Sequence, residues 1–228
     1  MEIRNDTKQP VKVAICIPST GMWHADFGVS MMQMCVYVSG HYFEHGQERS
    51  CIVLEKRTSV LPQSRQEALE DALTAECTHA LFVDSDQSFP ADTLHRLMAH
   101  KVKCVGANIA VKTTPSFPTA RMRGPTSFGI PLASHGRTGI EKVWRLGMGV
   151  MLIDLSAVKG IRKPWFEIPY SVKNAQFVGE DWYFCGLLEK AGVDIYVDHD
   201  LSHQVGHVGQ FKFTHVNIPE LPADMVAA

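Results

Sequence analysis

Along the chain, short continuous apolar runs alternate with longer stretches of helical spacing. Residues 11–17 form the first run, ended by Pro18, and predict a buried strand closed by a Pro-Ser-Thr-Gly turn at 18–21. Phe27 to Val38 is apolar on nearly all sides and predicts a buried helix. A strand over Cys51–Glu55 follows. Ser64 then opens a helix, with Glu67 three residues on completing a capping box and Ala68, Leu69, Ala72 and Leu73 as its apolar face. His79–Val83 predicts a third strand, which runs directly into Asp84-Ser85-Asp86. Pro90 and Asp92 suit the first turn of the next helix, which turns Leu94, Leu97 and Met98 inward.

Cys104–Val111 reads as a fourth strand. Val143–Leu155 returns to strand character, with Gly147 and Gly149 on either side of Met148. Glu180–Lys190 predicts a helix stopped by Gly192, and Ile195–Val197 a last short strand. Between Lys112 and Gly139 the chain is rich in Pro, Gly, Ser and Thr and has no periodicity, which predicts a long loop region. Strands alternating with helices predict an α/β sandwich with a mainly parallel central sheet. The expected organisation is a single domain over 1–228, with 1–10 and 218–228 as flexible tails.

The 228 residues, 45% hydrophobic and 20% charged, suffice for one sizeable core. A net charge of -2 argues against a wholesale nucleic-acid or membrane-surface binder. The stretch 112–145 is an exception, with six basic residues (Lys112, Arg121, Arg123, Arg137, Lys142, Arg145) against Glu141 alone. It is a candidate contact for a polyanion such as nucleic acid, since phosphate neutralisation by Lys and Arg drives that binding. The run at 11–17 is short and ends at a proline, unlike a signal peptide, and no apolar segment approaches the roughly 18 residues of a membrane span. The chain therefore reads as cytoplasmic, with no membrane partner. Cysteines 16, 35, 51, 77, 104 and 185 form no Cys-x-x-Cys pair and read as reduced core residues.

Three constellations carry chemistry. In a strand alternating with period two, Asp84 and Asp86 leave the same face, at the carboxyl end where open α/β sheets bind ligands. Two hard oxygen donors there suit Mg²⁺ or Mn²⁺ bridging a diphosphate. Gly179-Glu180-Asp181 sets two carboxylates at a helix N-terminus, where the helix dipole favours their charge. Of the histidines 199, 203, 207 and 215, His207 sits in Val-Gly-His-Val-Gly, whose glycines permit close approach to a ligand; His203 is the alternative metal contact.

The order of these motifs resembles the GT-A glycosyltransferases, especially the short family-2-like enzymes of bacteriophage genomes. It rests on Ala14-Ile15-Cys16-Ile17-Pro18, Arg65 within Pro-Gln-Ser-Arg-Gln-Glu-Ala-Leu, and Leu81-Phe82-Val83-Asp84-Ser85-Asp86. Gly147-Met148-Gly149-Val150-Met151-Leu152-Ile153, Gly179-Glu180-Asp181 and Val205-Gly206-His207 complete it, over roughly residues 11 to 210. The resemblance implies a metal-dependent transfer of a sugar from a nucleotide-sugar donor, a UDP-sugar first among the candidates, to an acceptor hydroxyl. In a phage enzyme, which would act in the host cytoplasm, the acceptor could be a modified DNA base. It implies Asp84 near the donor ribose or sugar, and Asp86 and His207 on Mn²⁺ or Mg²⁺, with Asp84 beside them. Pro18, Ser19 and Thr20 would lie on the nucleotide and Arg65 on the nucleotide or its phosphates. Gly147 and Gly149 would leave room for sugar and acceptor, and Asp181, with Glu180, would face the acceptor as catalytic carboxylate. Two other readings stand beside it: a sugar-nucleotide nucleotidyltransferase, and a catalytically silent nucleotide- or sugar-binding module.

Overall fold

A computed structural model describes residues 11–44, 49–173, 175–209 and 211–220. The elements in chain order begin with β1 (Val11–Ser19), α1 (Ala25–Glu44), β2 (Arg49–Arg57), α2 (Leu61–Thr74), β3 (His79–Val83) and β4 (Gln87–Ser88). Next come α3 (Thr93–Ala99), β5 (Cys104–Ala107), β6 (Arg121–Met122), β7 (Ile130–Pro131), β8 (Ile140–Val143) and β9 (Val150–Asp154). The rest are β10 (Tyr170–Ser171), β11 (Gln176–Phe177), α4 (Glu180–Lys190), β12 (Ile195–Asp198), α5 (His199–Ser202), β13 (Gly206–Val208) and β14 (Lys212–Phe213).

Seven strands form the central sheet in the order β2-β1-β3-β9-β5-β12-β8. The sheet is mainly parallel, as the alternation of elements predicts. β2, β1, β3, β5 and β12 share one direction, whereas β9 runs against both its neighbours and β8 against β12. Helices cover both faces, which is why the central strands read as continuous apolar runs rather than alternating ones. The period of two then sorts each strand between two cores. Ala14 and Cys16 face Ala68, Leu69 and Ala72 of α2 and Phe184 and Leu188 of α4. Val13, Ile15 and Ile17 face Phe27, Met31 and Met34 of α1 and Leu94 and Leu97 of α3.

Several boundaries depart from the sequence reading. α2 begins at Leu61, with Pro62 in its first turn, where a missing N–H costs nothing. Ser64 is therefore inside the helix and fully buried, its Oγ donating to the Lys56 carbonyl at 3.2 Å, and no capping box forms with Glu67. The fourth strand stops at Ala107, because the Asn108 amide and side chain bond to Ser202, Leu132 and Ala120 in place of a ladder. The apolar stretch 143–155 is two strands of different pairing, β8 and β9, parted by a loop that carries Gly147 and Gly149. Of the six cysteines, all reduced, Cys35 is exposed on α1 and Cys51 half-buried, since both lie at the rim of the core. Ile218, assigned by sequence to a tail, is 3% exposed and packs on Ala110 and Phe213; residues 1–10 and 221–228 lie outside the described residues. Among the described residues no helix is long and apolar enough to cross a membrane.

Candidate active site

The carboxyl ends of β1, β2 and β3 open into a cleft of about 670 Å³, bordered by Pro18, Ser19, Thr20, Asp84, Asp86 and His207. Its loops are tied to one another. The His24 amide donates to the Ser85 carbonyl at 3.1 Å, and the Thr58 amide to the Ser19 carbonyl at 3.1 Å. Ser19 Oγ accepts from the Gly21 amide at 2.9 Å, and Gly21 takes φ +97°, where a side chain would be strained.

Asp84 and Asp86 do not point the same way, as strand alternation would require. β3 ends at Val83, and the Gln87 amide turns back to the Asp84 carbonyl at 3.0 Å, so the two carboxylates sit on a turn and part company. Asp84 faces inward to Arg65, whose Nη2 lies 3.0 and 3.2 Å from its two oxygens. Arg65 lies beneath the cleft floor. It is 2% exposed and uses its remaining donors on Glu180 Oε1 (3.2 Å) and the Met148 carbonyl (3.4 Å). Burial pushes the Asp84 carboxyl up; Arg65 opposes the rise, while Asp86 and Glu180 reinforce it.

Asp86 faces the other way, with its Oδ2 2.5 Å from Lys112 Nζ and 3.3 Å from His207 Nε2. His207 arrives there because β13 pairs with β4, with His207 opposite Gln87, and the Val208 amide donates to the Asp86 carbonyl at 2.7 Å. His207 Nδ1 is 3.0 Å from the Ala110 carbonyl, which can only accept, so Nδ1 carries a proton and Nε2 is the ring nitrogen turned toward Asp86. Burial works to raise the Asp86 pKa, but His207 and Lys112 outweigh it and hold the carboxyl well below the usual range. Asp86 and His207 thus form a two-donor set of carboxylate oxygen and imidazole nitrogen. No group of three or more such donors occurs among the described residues. Two protein donors fit Mg²⁺ or Mn²⁺, which take further ligands from substrate phosphates and water. Asp84 is outside this set, committed to Arg65. His203 is elsewhere, bonded at 3.2 Å to the Arg137 carbonyl.

On the far side of Arg65, Glu180 and Asp181 open α4 at Gly179. Asp181 Oδ1 accepts from the Trp182 amide at 2.7 Å, folding back over Gly179, where a Cβ would stand 2.6 Å from that oxygen. Burial first, and then neighbouring Glu180, push the Asp181 carboxyl up to about 7. Asp181 borders a second cleft of about 640 Å³, walled by Phe128, Trp182 and the β10–β11 hairpin. Gly147 and Gly149 border neither cleft with open space. A Cβ at Gly147 would meet Thr119 at 2.9 Å, and one at Gly149 would meet Gln87 and Ile109 at 3.2 Å. Their loop still shapes the site, since the Gly149 carbonyl accepts from the Asp84 amide at 3.0 Å.

The basic residues of 112–145 are mostly committed within the chain. Lys112 pairs with Asp86, Arg123 and Arg145 with Glu189, Arg137 with Glu141, and Lys142 with Asp194. Arg121 lies over the Trp182 ring, 5.6 Å from its centroid. Trp23, His24, Thr58 and Ser59 line the first cleft without having been singled out from sequence, and Lys112, expected only as part of a basic stretch, lines it too. The first four follow the carboxyl ends of β1 and β2, so the rule that ligands bind at those ends was the signal for them. Trp23 stands at the rim, its Nε1–H donating to Glu55 at 2.9 Å and its ring edge-on to Phe27 at 4.9 Å.

The fold and site define an α/β protein with a mainly parallel sheet and a carboxylate-rich cleft at the ends of its strands. Among solved structures, A197 from STIV superposes with a TM-score of 0.58 at 14% identity, covering 93% of this chain and 98% of that one. TarS 1–349 of S. aureus, in complex with UDP-GlcNAc, has a TM-score of 0.45 at 15% identity, covering 96% of this chain and 61% of that one. A nucleoside-diphosphate-sugar pyrophosphorylase from Vibrio cholerae RC9 has a TM-score of 0.43 at 10% identity, covering 95% and 100%. No family model and no curated protein matches the chain.

Proposed function

We propose that the chain transfers a sugar from a nucleoside-diphosphate sugar, held in the first cleft, to an acceptor hydroxyl in the second. The observation that carries this reading is the convergence of the two clefts on one charged cluster. Asp84 borders the first, Asp181 borders the second, and buried Arg65 joins Asp84 to Glu180 between them. In the transfer, the acceptor oxygen bonds to the sugar's anomeric carbon. The bond from that carbon to the diphosphate oxygen breaks, and its electron pair leaves with the nucleoside diphosphate. The acceptor proton passes to Asp181, whose carboxyl, pushed up to about 7, matches a base working near neutral pH. Asp84, held by Arg65, orients the donor, and Arg65 acts as a positioning residue.

Asp86 and His207 would hold Mn²⁺ or Mg²⁺ against the diphosphate, where the cation offsets the charge that develops on the leaving oxygen. Trp23 at the rim suits the nucleobase, and a UDP-sugar is the first donor to try. Calorimetry with UDP, with and without Mn²⁺ or Mg²⁺, tests the reading. Binding should require the metal, and Asp86→Ala should abolish the metal-dependent part while the fold stays intact. Equal UDP affinity in EDTA would refute metal dependence, and no binding by any nucleoside diphosphate would refute the donor site.

A further inference from the structure

The second cleft has a definite chemical character. Phe177, on the β10–β11 hairpin, is 67% exposed, and its ring meets Tyr170 edge-on at 5.2 Å. Phe128 is exposed on the facing loop, and Trp182 lies beside Asp181. Arg121 stacks against Trp182 and supports the ring from one side. The wall carries charges of both signs, Arg145 and Lys190 with Asp181 and Glu189, and Glu189 is bonded to Arg145 at 3.0 Å and to Trp144 Nε1 at 3.1 Å. Gln176 and Ser171 on the hairpin add uncharged hydrogen-bonding groups.

We infer that this cleft is a subsite for a neutral saccharide, and that the hydroxyl presented to Asp181 belongs to a sugar ring. This rests on the transfer reading above and names the acceptor class it left open. A pyranose has one face of C–H groups, which packs on an aromatic ring, and a rim of hydroxyls, which needs amide and carboxylate partners. Exposed aromatic faces set among a few polar groups supply both, in a volume of the size that holds small ligands. A polyanion needs unpaired Lys and Arg to neutralise phosphates. Of the basic residues lining this cleft, Arg145 is already paired with Glu189, and Arg123, Arg137 and Lys142, elsewhere in the basic stretch, are paired with carboxylates as well. A nucleic-acid backbone would have to break those pairs, whereas a neutral sugar leaves them in place.

Saturation-transfer NMR on the full chain with neutral cello-, malto- and chito-oligosaccharides tests this, alongside a single-stranded oligonucleotide over a salt series. At least one saccharide should receive saturation on its ring C–H protons. Phe177→Ala, at an exposed position that holds no core, should weaken that binding about tenfold, as should Trp182→Ala. UDP affinity, measured on the same samples, should not change. Binding by no saccharide while UDP still binds overturns the inference and leaves the donor site standing. So does saccharide binding that survives both substitutions, or oligonucleotide binding that falls steeply with salt and is lost in Phe177→Ala. Loss of UDP binding in the unaltered chain instead strikes the transfer reading.

Discussion

At the scale of single residues, the carboxyl of Asp181 combines the proposed role of base with a cost in stability. Its pKa stands at about 7 in the folded chain, against 3.8 as an ordinary carboxyl. Between those values the folded state keeps a proton that the unfolded state has lost. The residue's contribution to stability is therefore fully present at low pH and is lost as pH rises through 7. Asp181→Asn keeps the acceptor for the Trp182 amide and removes the charge. It should raise the melting temperature most at pH 8, less at pH 5 and hardly at all at pH 3, as thermal denaturation at the three values would show. The same variant should cut transfer roughly 10²-fold or more and flatten the rise in rate through neutral pH. A variant that loses activity with no gain in stability at pH 8 would speak against an ionised, buried base.

Among the elements, Arg65 connects α2 to the ends of β3 and α4. Burying a guanidinium is favourable only with its partners in place, and here Asp84 and Glu180 are those partners. Arg65→Ala leaves two buried carboxylates facing each other and should cost about 3–5 kcal/mol in a denaturant titration. Arg65→Lys should recover little, because one ammonium cannot meet Asp84, Glu180 and the Met148 carbonyl together. Recovery of full stability by lysine would show that charge alone matters there.

Element by element, the sequence was most legible where one strand or helix decides the outcome. The runs at 11–17 and 79–83 are strands, α4 begins at Glu180, and the motif residues lie around the strand ends. What pattern alone missed depends on partners far along the chain. Asp84 and Asp86 diverge because Arg65, 19 residues back, takes one, and Lys112 and His207 take the other. The pairing of β13 with β4 that brings His207 to Asp86 joins segments separated by about 120 residues, as in Ser88 with Gly206. Local periodicity carries no trace of such a pairing. The reversal of β9 was hidden for the same reason, since an apolar run reads alike in either direction.

For the whole molecule, the histidines left outside the site form a latent weakness to acid. His215 is buried, its Nε2 2.8 Å from the Asn108 carbonyl, with the rings of His135 and His203 each 5.7 Å away. Burial chiefly, with added repulsion from His203, His135 and His199 against the Asn108 bond, pushes its pKa down to about 4. The unfolded chain takes up that proton near pH 6.5 and the folded chain only near 4. The stability involved is present above 6.5 and lost as pH falls between the two values. Unfolding followed from pH 7 to 4 in the Asp181→Asn background, where the opposing contribution of Asp181 is absent, should show this loss, and adding His215→Gln should lessen its slope.

Lys112 makes the cleft its own counter-ion. While its ammonium rests on Asp86, the free protein presents a neutralised pair to the solvent, and bare metal ions must compete with a tethered cation that is never diluted. Metal and nucleotide would therefore load together, because only the joint complex brings phosphate oxygens to receive the displaced ammonium. Lys112→Ala should tighten Mn²⁺ binding to the nucleotide-free protein several-fold, about 1 kcal/mol in calorimetry, while weakening the hold on the diphosphate. Unchanged Mn²⁺ affinity would mean that the lysine is a bystander. On the proposed reading, the ordinary form would give up chelation at rest and gain a site that takes up a metal only when the substrate carries it in.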